Sequence, residues 1–123
     1  MRLPARLTCL DTRLKIITAD AARQVLRSRP GAWITGDFDP LLAAHVEYLK
    51  DRAADGRVLI VEIANPPHPL LSQRARAELV AALRMVDYVV VGQGDVDGPA
   101  PDAAITRQFI NHIVQRHRTD GAG

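Results

Sequence analysis

One short stretch holds the residue types best suited to chemistry: residues 36–40 read GDFDP, and His45 follows within the next predicted helix. An apolar run over 32–34 leads into this turn, and a helical pattern leaves it. Glycine lets a backbone approach a ligand, and the N–H groups and dipole of a helix N-terminus favour negative charge. The stretch therefore predicts a binding site for a phosphate group. It does not by itself indicate that a reaction takes place there.

Regular elements that would position this turn alternate along the chain. The sequence predicts strands over 32–35, 57–64 and 88–91. It predicts helices over 21–28, from 42 or 43 to 54, from the cap at 72 to 85, and over 102–117. A short strand is also expected near 14–18. The alternation indicates right-handed parallel βαβ units, in which ligands bind beyond the carboxyl ends of the strands. The turn at 36–40, the proline-rich loop at 65–69 and the loop after Gly92 all lie at that edge.

Local signals predict where helices begin and end and which side they bury. Thr18 or Asp20 is a suitable cap for the first helix, Ser72 for the third, and Gly56 for a left-handed helix end. The third helix has an expected apolar stripe of Ala75, Leu79, Ala82, Leu83 and Val86. Its charged residues, among them Arg76, lie mostly off this stripe.

Length and charge limit the class of protein. The 123 residues fit one small domain, for which we expect an arm over 1–18, a domain over 19–117 and a disordered tail over 118–123. The formal charge of +2, with no long basic run, argues against nucleic acid as a partner. No apolar run approaches the roughly 20 residues of a membrane span. We therefore expect no membrane partner and a cytoplasmic protein.

Two blocks of the sequence resemble the cytidylyltransferase-like nucleotidylyltransferases, in particular the adenylyltransferase domain of ADP-heptose synthase and glycerol-3-phosphate cytidylyltransferase. The first block is GDFDPL over 36–41, continued by HVEYLK over 45–50, and the second is RAELVAALRMVDYVV over 76–90. The resemblance implies an α/β fold with a three-layer, Rossmann-like parallel sheet. It also implies transfer of AMP or CMP from a nucleoside triphosphate, ATP or CTP, to a sugar or polyol phosphate.

The chain departs from the family where the chemistry is concentrated. Leu42 and Ala44 stand where the His-x-Gly-His motif has its first histidine and its glycine, so that only His45 remains. Losing one donor that stabilises charge in the transition state costs on the order of 100-fold in rate. After Val91 we find no match to the family's last strands or its Ser/Thr-rich motif, and we expect a sheet truncated to about three core strands plus a terminal helix. We expect weak or no activity; the alternative is a non-catalytic nucleotide-binding, phosphate-binding or structural protein.

The resemblance implies a nucleotide or phosphate site formed by Gly36, Asp37, Phe38, His45 and Arg76, with His45 as the catalytic residue. Two of these have alternative interpretations. His45 could instead be a partly exposed histidine near a helix start. Arg76 could be a solvated helix charge, which is the interpretation that the sequence favours.

The remaining candidates have simpler explanations. Asp39 is expected to cap a turn and a helix, and His68 to be a surface loop histidine. No metal-ligand cluster is visible, so we expect no tightly bound cofactor and no protein-held metal, with Mg²⁺ arriving alongside the nucleotide. The first strand would be an exposed sheet edge, which predicts a homodimer or larger homo-oligomer.

Overall fold

The structure, a computed structural model, describes residues 11–53 and 56–93. A 3-10 turn at Thr12–Lys15 leads into a short first strand. The strands are β1 Ile16–Ile17, β2 Gly31–Gly36, β3 Val58–Ile63 and β4 Tyr88–Val91. The helices are α1 Ala19–Ser28, α2 Ala43–Ala53 and α3 Gln73–Ala81. The predicted helix over 102–117 and the predicted tail lie outside the described residues, so the domain boundaries stay predictions.

The four strands form one parallel sheet in the order β1-β4-β3-β2. Helices α2 and α3 contribute buried residues to one core, and α1 contributes Ala22 to a second core made with other residues of the same strands. Helices therefore cover both faces, which confirms the predicted three-layer α/β fold. Among the described residues β2 pairs only with β3, so it lies at an edge of this sheet, as expected.

The sequence of β3 explains why helices cover both faces of the sheet. Side chains along a strand point alternately to the two faces, and five of the six in Val58–Ile63 are buried. A run buried on both faces is typical of an inner strand of a parallel sheet covered by helices on each side. The exception is Glu62, which is half-buried.

Side-chain caps fix the helix starts as predicted. The Thr18 hydroxyl accepts the N–H of Ala21 at the start of α1, and the Ser72 hydroxyl accepts the N–H of Ala75 at the start of α3, each at 3.1 Å. Gly56 has a φ of 68°, the left-handed conformation expected there.

The predicted buried face of α3 is wrong within the helix, which ends at Ala81, earlier than predicted, whereas Val86 of the predicted stripe is buried beyond the helix end. Leu79 is 46% exposed and Ala82 is exposed, whereas the residues buried within α3 are Arg76, Ala77, Val80 and Ala81. The helix is rotated relative to the apolar pattern because its buried side carries small residues against the sheet and one long arginine that reaches the strand ends. This rotation brings Arg76 to the predicted ligand edge.

Candidate functional site

The turn after β2 is built around a buried aromatic ring. Gly36 ends the strand, and its carbonyl accepts the N–H of Ala64 at 2.8 Å. Phe38 is fully buried with a φ of 47°, and the Asp39-Pro40 peptide is cis. A bulky residue at positive φ persists only where the surrounding structure imposes it, and such residues concentrate at functional sites. Burial of the Phe38 ring in the main core is that constraint.

His45 lies in the first turn of α2, packed against this turn, and exposes none of its surface. Its Nδ1 accepts the backbone N–H of Leu42 at 2.9 Å, and its ring meets the Phe38 ring edge-on, with centroids 5.5 Å apart. A neutral imidazole that accepts at Nδ1 carries its hydrogen on Nε2, which is then a donor. The alternative of a partly exposed histidine is therefore wrong, because packing against Phe38 draws the ring into the protein. Its contact with a phosphate stays a prediction.

Arg76 is also fully buried, so the expectation of a solvated helix charge is wrong. Its guanidinium donates to three backbone carbonyls: Nε to Leu71 at 3.1 Å, and Nη1 to Asp37 at 2.8 Å and to Ala64 at 3.0 Å. One side chain thus joins the turn after β2, the end of β3 and the loop before α3. A sequence pattern does not reveal this role, because all three partners are backbone atoms.

In the part of the chain that the structure describes, the charge of Arg76 is not matched by a carboxylate. None of the ion pairs within the described residues involves it, and its buried Nη2 has no hydrogen-bond partner. A buried charge that is not paired is costly, and carbonyl acceptors solvate it without neutralising it. An anion bound beside this guanidinium would supply both the missing charge and the missing acceptor.

Asp39 does not cap the helix that follows it, which corrects that expectation. Its carboxylate instead accepts the N–H groups of Leu70 at 2.7 Å and Leu71 at 2.9 Å. The aspartate therefore fastens the turn to the loop over 65–71. In that loop His68 is exposed, as expected of a surface histidine.

This contact predicts that Asp39→Ala lowers the free energy of unfolding by about 1–3 kcal/mol, because two backbone N–H groups lose a charged acceptor. Asp39→Asn, which keeps one acceptor oxygen, should cost clearly less. Urea denaturation of the two variants measures the difference. Equal losses would show that one remaining acceptor oxygen retains none of the stabilisation, and a negligible loss in Asp39→Ala would contradict the role given to the paired N–H contacts.

Two further polar residues at this edge were missed by sequence reasoning. Gln73 Nε2 donates to the carbonyls of Ile63 at 3.0 Å and Gly92 at 2.8 Å, so α3 is tied to the ends of two strands. Glu62 Oε1 accepts Trp33 Nε1 at 2.9 Å. The signal that could have identified Glu62 is its place as the one charged residue in an apolar run.

A cavity of about 480 Å³ lies elsewhere, where β1 and β4 end beside the start of α1, with Thr18, Asp20 and Gln93 in its lining. Neither the turn at 36–40 nor His45 or Arg76 lines this cavity. The cavity is therefore separate from the site predicted from the sequence. Asp20 in the first turn of α1 also makes that helix start unsuited to an anion.

Across residues 11–53 and 56–93, no three His, Cys, Asp or Glu side chains are grouped as they would be around a metal ion. No helix in these ranges has the length and apolar character required to cross a membrane.

The fold and the candidate site define a class: a Rossmann-like α/β protein with a buried histidine and a buried arginine at the carboxyl edge of its sheet. The family model described as cytidylyltransferase-like matches residues 33–119, which include most of β2, the turn and both buried residues. The chain belongs to this cytidylyltransferase-like family, as its sequence motifs predicted.

The chain is also similar to individual proteins named HldE and FAD synthase. The bifunctional protein HldE of Syntrophotalea carbinolica is 31% identical over 110 residues, covering 74% of this chain and 22% of that protein. HldE of Helicobacter pylori is 32% identical over 94 residues, covering 69% of this chain and 20% of that protein. An FAD synthase of Halobacterium salinarum is 42% identical over 93 residues, covering 71% of this chain and 63% of that protein. The chain thus spans about a fifth of the HldE proteins that it matches.

Proposed function

We propose that this protein binds a nucleotide through its phosphates at the carboxyl edge of the sheet and has weak or no nucleotidyl-transfer activity. The observation that carries the proposal is Arg76: a buried guanidinium next to the turn that begins at Gly36, with one unpartnered nitrogen and no carboxylate partner among residues 11–53 and 56–93. Such a charge favours a bound anion. Gly36, Asp37, Phe38, His45 and Arg76 are the residues proposed to form the site.

Weak transfer is proposed because a donor is missing at the turn. Leu42 stands where the family motif has its first histidine, and its side chain offers no hydrogen bond. Its backbone N–H, which could have served an anion at the start of α2, is used by His45 Nδ1. Catalysis of phosphoryl-type transfer depends on positioned donors where charge develops, so the loss acts on the rate more than on binding.

The proposed ligands follow the family. ATP or CTP is the proposed nucleotide, and a sugar or polyol phosphate the acceptor of AMP or CMP in any residual transfer. Mg²⁺ would arrive with the nucleotide and be held mainly by its phosphates, without a tightly bound cofactor. Assembly into a homodimer through the β2 edge and residence in the cytoplasm are also part of the proposal.

A second candidate is residual enzymatic activity, which the position of His45 favours. His45 stands where the family motif has its second histidine, and the N–H of Leu42 bound to Nδ1 holds its ring beside the turn at 36–40. His45 is the proposed catalytic residue in that case.

The experiment that separates the two candidates measures pyrophosphate released from ATP or CTP with Mg²⁺ and a panel of sugar and polyol phosphates. We expect little or none from the natural chain, and a gain on the order of 100-fold from the motif-restored variant Leu42→His/Ala44→Gly. Clear turnover by the natural chain, abolished in His45→Ala, would instead establish the enzyme.

Binding is tested separately by thermal shift, because a ligand that binds only the folded chain stabilises it increasingly as the ligand concentration exceeds the Kd. We expect a shift with ATP, CTP and tripolyphosphate. Absence of any shift with all three would contradict nucleotide binding and favour a purely structural protein.

A further inference from the structure

Glu62 is the one charged side chain in β3, and it lies on the sheet face that packs against α1. Its strand register places it between Thr35 of β2 and Val90 of β4. Oε1 accepts Trp33 Nε1 at 2.9 Å and lies 3.4 Å from Thr35 Oγ1. The carboxylate is thus held by two neighbours while remaining only half-buried.

The second carboxylate oxygen is open. No donor within the described residues is hydrogen-bonded to Oε2, and none of their ion pairs includes Glu62. Gly92 contributes to this, since a Cβ on that residue would stand 2.8 Å from Oε2 and 2.9 Å from the carbonyl of Ile63. Oε2 is not among the buried atoms that lack a partner, so it is open to solvent, and a ligand N–H or O–H can take the place of water there.

Glu62 lies at the same sheet edge as the proposed anion site. Thr35 directly precedes Gly36, and Ile63, next to Glu62, is followed by Ala64, whose carbonyl accepts Arg76 Nη1. A nucleotide has an anionic end and a neutral end that carries hydroxyl and amine donors. A carboxylate repels the first and accepts from the second.

We propose that Glu62 is a binding residue for the nucleoside part of the ligand, accepting hydrogen bonds at Oε2 from ribose hydroxyls or a base amine. The inference rests on the proposed function, because Arg76 and the turn bind the phosphates in this arrangement. Trp33 and Thr35 are positioning residues that hold the carboxylate, and Gly92 keeps its second oxygen uncovered.

Trp33 provides an intrinsic fluorescence signal for ligand binding at this site. It is the only tryptophan of the chain and donates directly to Glu62, so its fluorescence follows binding without any need for turnover. The test variant is Glu62→Gln, which keeps the shape and an amide oxygen for Trp33 but removes the charge. Glu47→Gln is the matched control, because Glu47 is an exposed residue of α2 whose side chain is 70% exposed.

Titrations with ATP, CTP and tripolyphosphate then compare nucleoside and phosphate recognition. We expect the natural chain and Glu47→Gln to prefer a nucleotide to tripolyphosphate. In Glu62→Gln we expect nucleotide binding to weaken by roughly tenfold, with tripolyphosphate binding unchanged, the size of one hydrogen bond to a charged acceptor. Unchanged thermal unfolding of Glu62→Gln confirms that the fold is intact.

The arms of the experiment identify the donor and separate two kinds of failure. Loss of the Glu62 effect with a 2′,3′-dideoxy nucleotide assigns the ribose hydroxyls, and its loss with inosine triphosphate assigns the base amine. If tripolyphosphate binds and Glu62→Gln changes the affinity for both ligands equally, or for neither, this inference is overturned and the proposed function stands. If neither nucleotide nor tripolyphosphate binds the natural chain, the proposed function fails and this inference with it.

Discussion

Replacing Arg76 with leucine is expected to lower the free energy of unfolding by about 3 kcal/mol or more, because three backbone carbonyls lose their charged donor inside the protein. Leucine is apolar but shorter than arginine, so the loss combines the missing hydrogen bonds with the space that the buried guanidinium leaves. Chemical denaturation monitored by Trp33 fluorescence measures it.

The control for this prediction lies two residues away on the same helix. Arg74 is 58% exposed at its side chain and forms an exposed ion pair with Glu78, at 3.3 Å. Arg74→Leu should change stability by no more than about 0.5 kcal/mol, because exposed ion pairs contribute little. Similar losses for both substitutions would contradict a special role for the buried guanidinium.

Arg76→Lys separates stability from binding. The ammonium keeps the charge but lacks the planar fork that reaches three carbonyls and leaves Nη2 for a ligand. We expect this variant to remain folded and to bind tripolyphosphate more weakly than the natural chain. Undiminished binding would mean that the anion is held elsewhere.

The second large effect is expected at Phe38. Its ring is fully buried in the main core and supports the edge of the His45 imidazole. Phe38→Ala should cost about 3–5 kcal/mol, the range for emptying a buried aromatic site. The same loss of support should free the His45 ring, so any phosphate binding that depends on it should fall as well.

Two further variants serve as comparisons for Phe38→Ala: the conservative Phe38→Leu and the exposed-site control Leu70→Ala. Leucine retains much of the buried volume and should cost less than alanine. Leu70 is 73% exposed, so its truncation should stay within about 0.5 kcal/mol of the natural chain. Thermal and urea unfolding of all three variants provide the comparison, and a mild effect of Phe38→Ala would refute the role assigned to the ring.

The parts of the fold that could be predicted are those determined by local pattern. The apolar run of β3 indicated a strand buried on both faces, and the caps at Thr18 and Ser72 follow from side chains that bond the backbone three residues on. The turn motif indicated the family, and the family model agrees.

The parts that could not be predicted depend on distant backbone atoms. Arg76 bonds a carbonyl 39 residues earlier in the chain, and Asp39 bonds an N–H 31 residues later. No residue type signals such a partner, because every residue has a carbonyl. The buried face of α3 was predicted incorrectly for the same reason. In the sequence Arg76 has the character of a surface charge, whereas in the structure it is buried.

The bonds from Asp39 and Arg76 also decide how the ligand edge can move. The turn after β2 and the loop over 65–71 are joined twice, once through the Asp39 carboxylate and once through the guanidinium. Neither segment can swing away without breaking bonds that belong to the other. The loop over 65–71 is therefore held in place although its sequence is proline-rich and its surface exposed. A nucleotide bound at the carboxyl edge of the sheet would meet a preorganised loop.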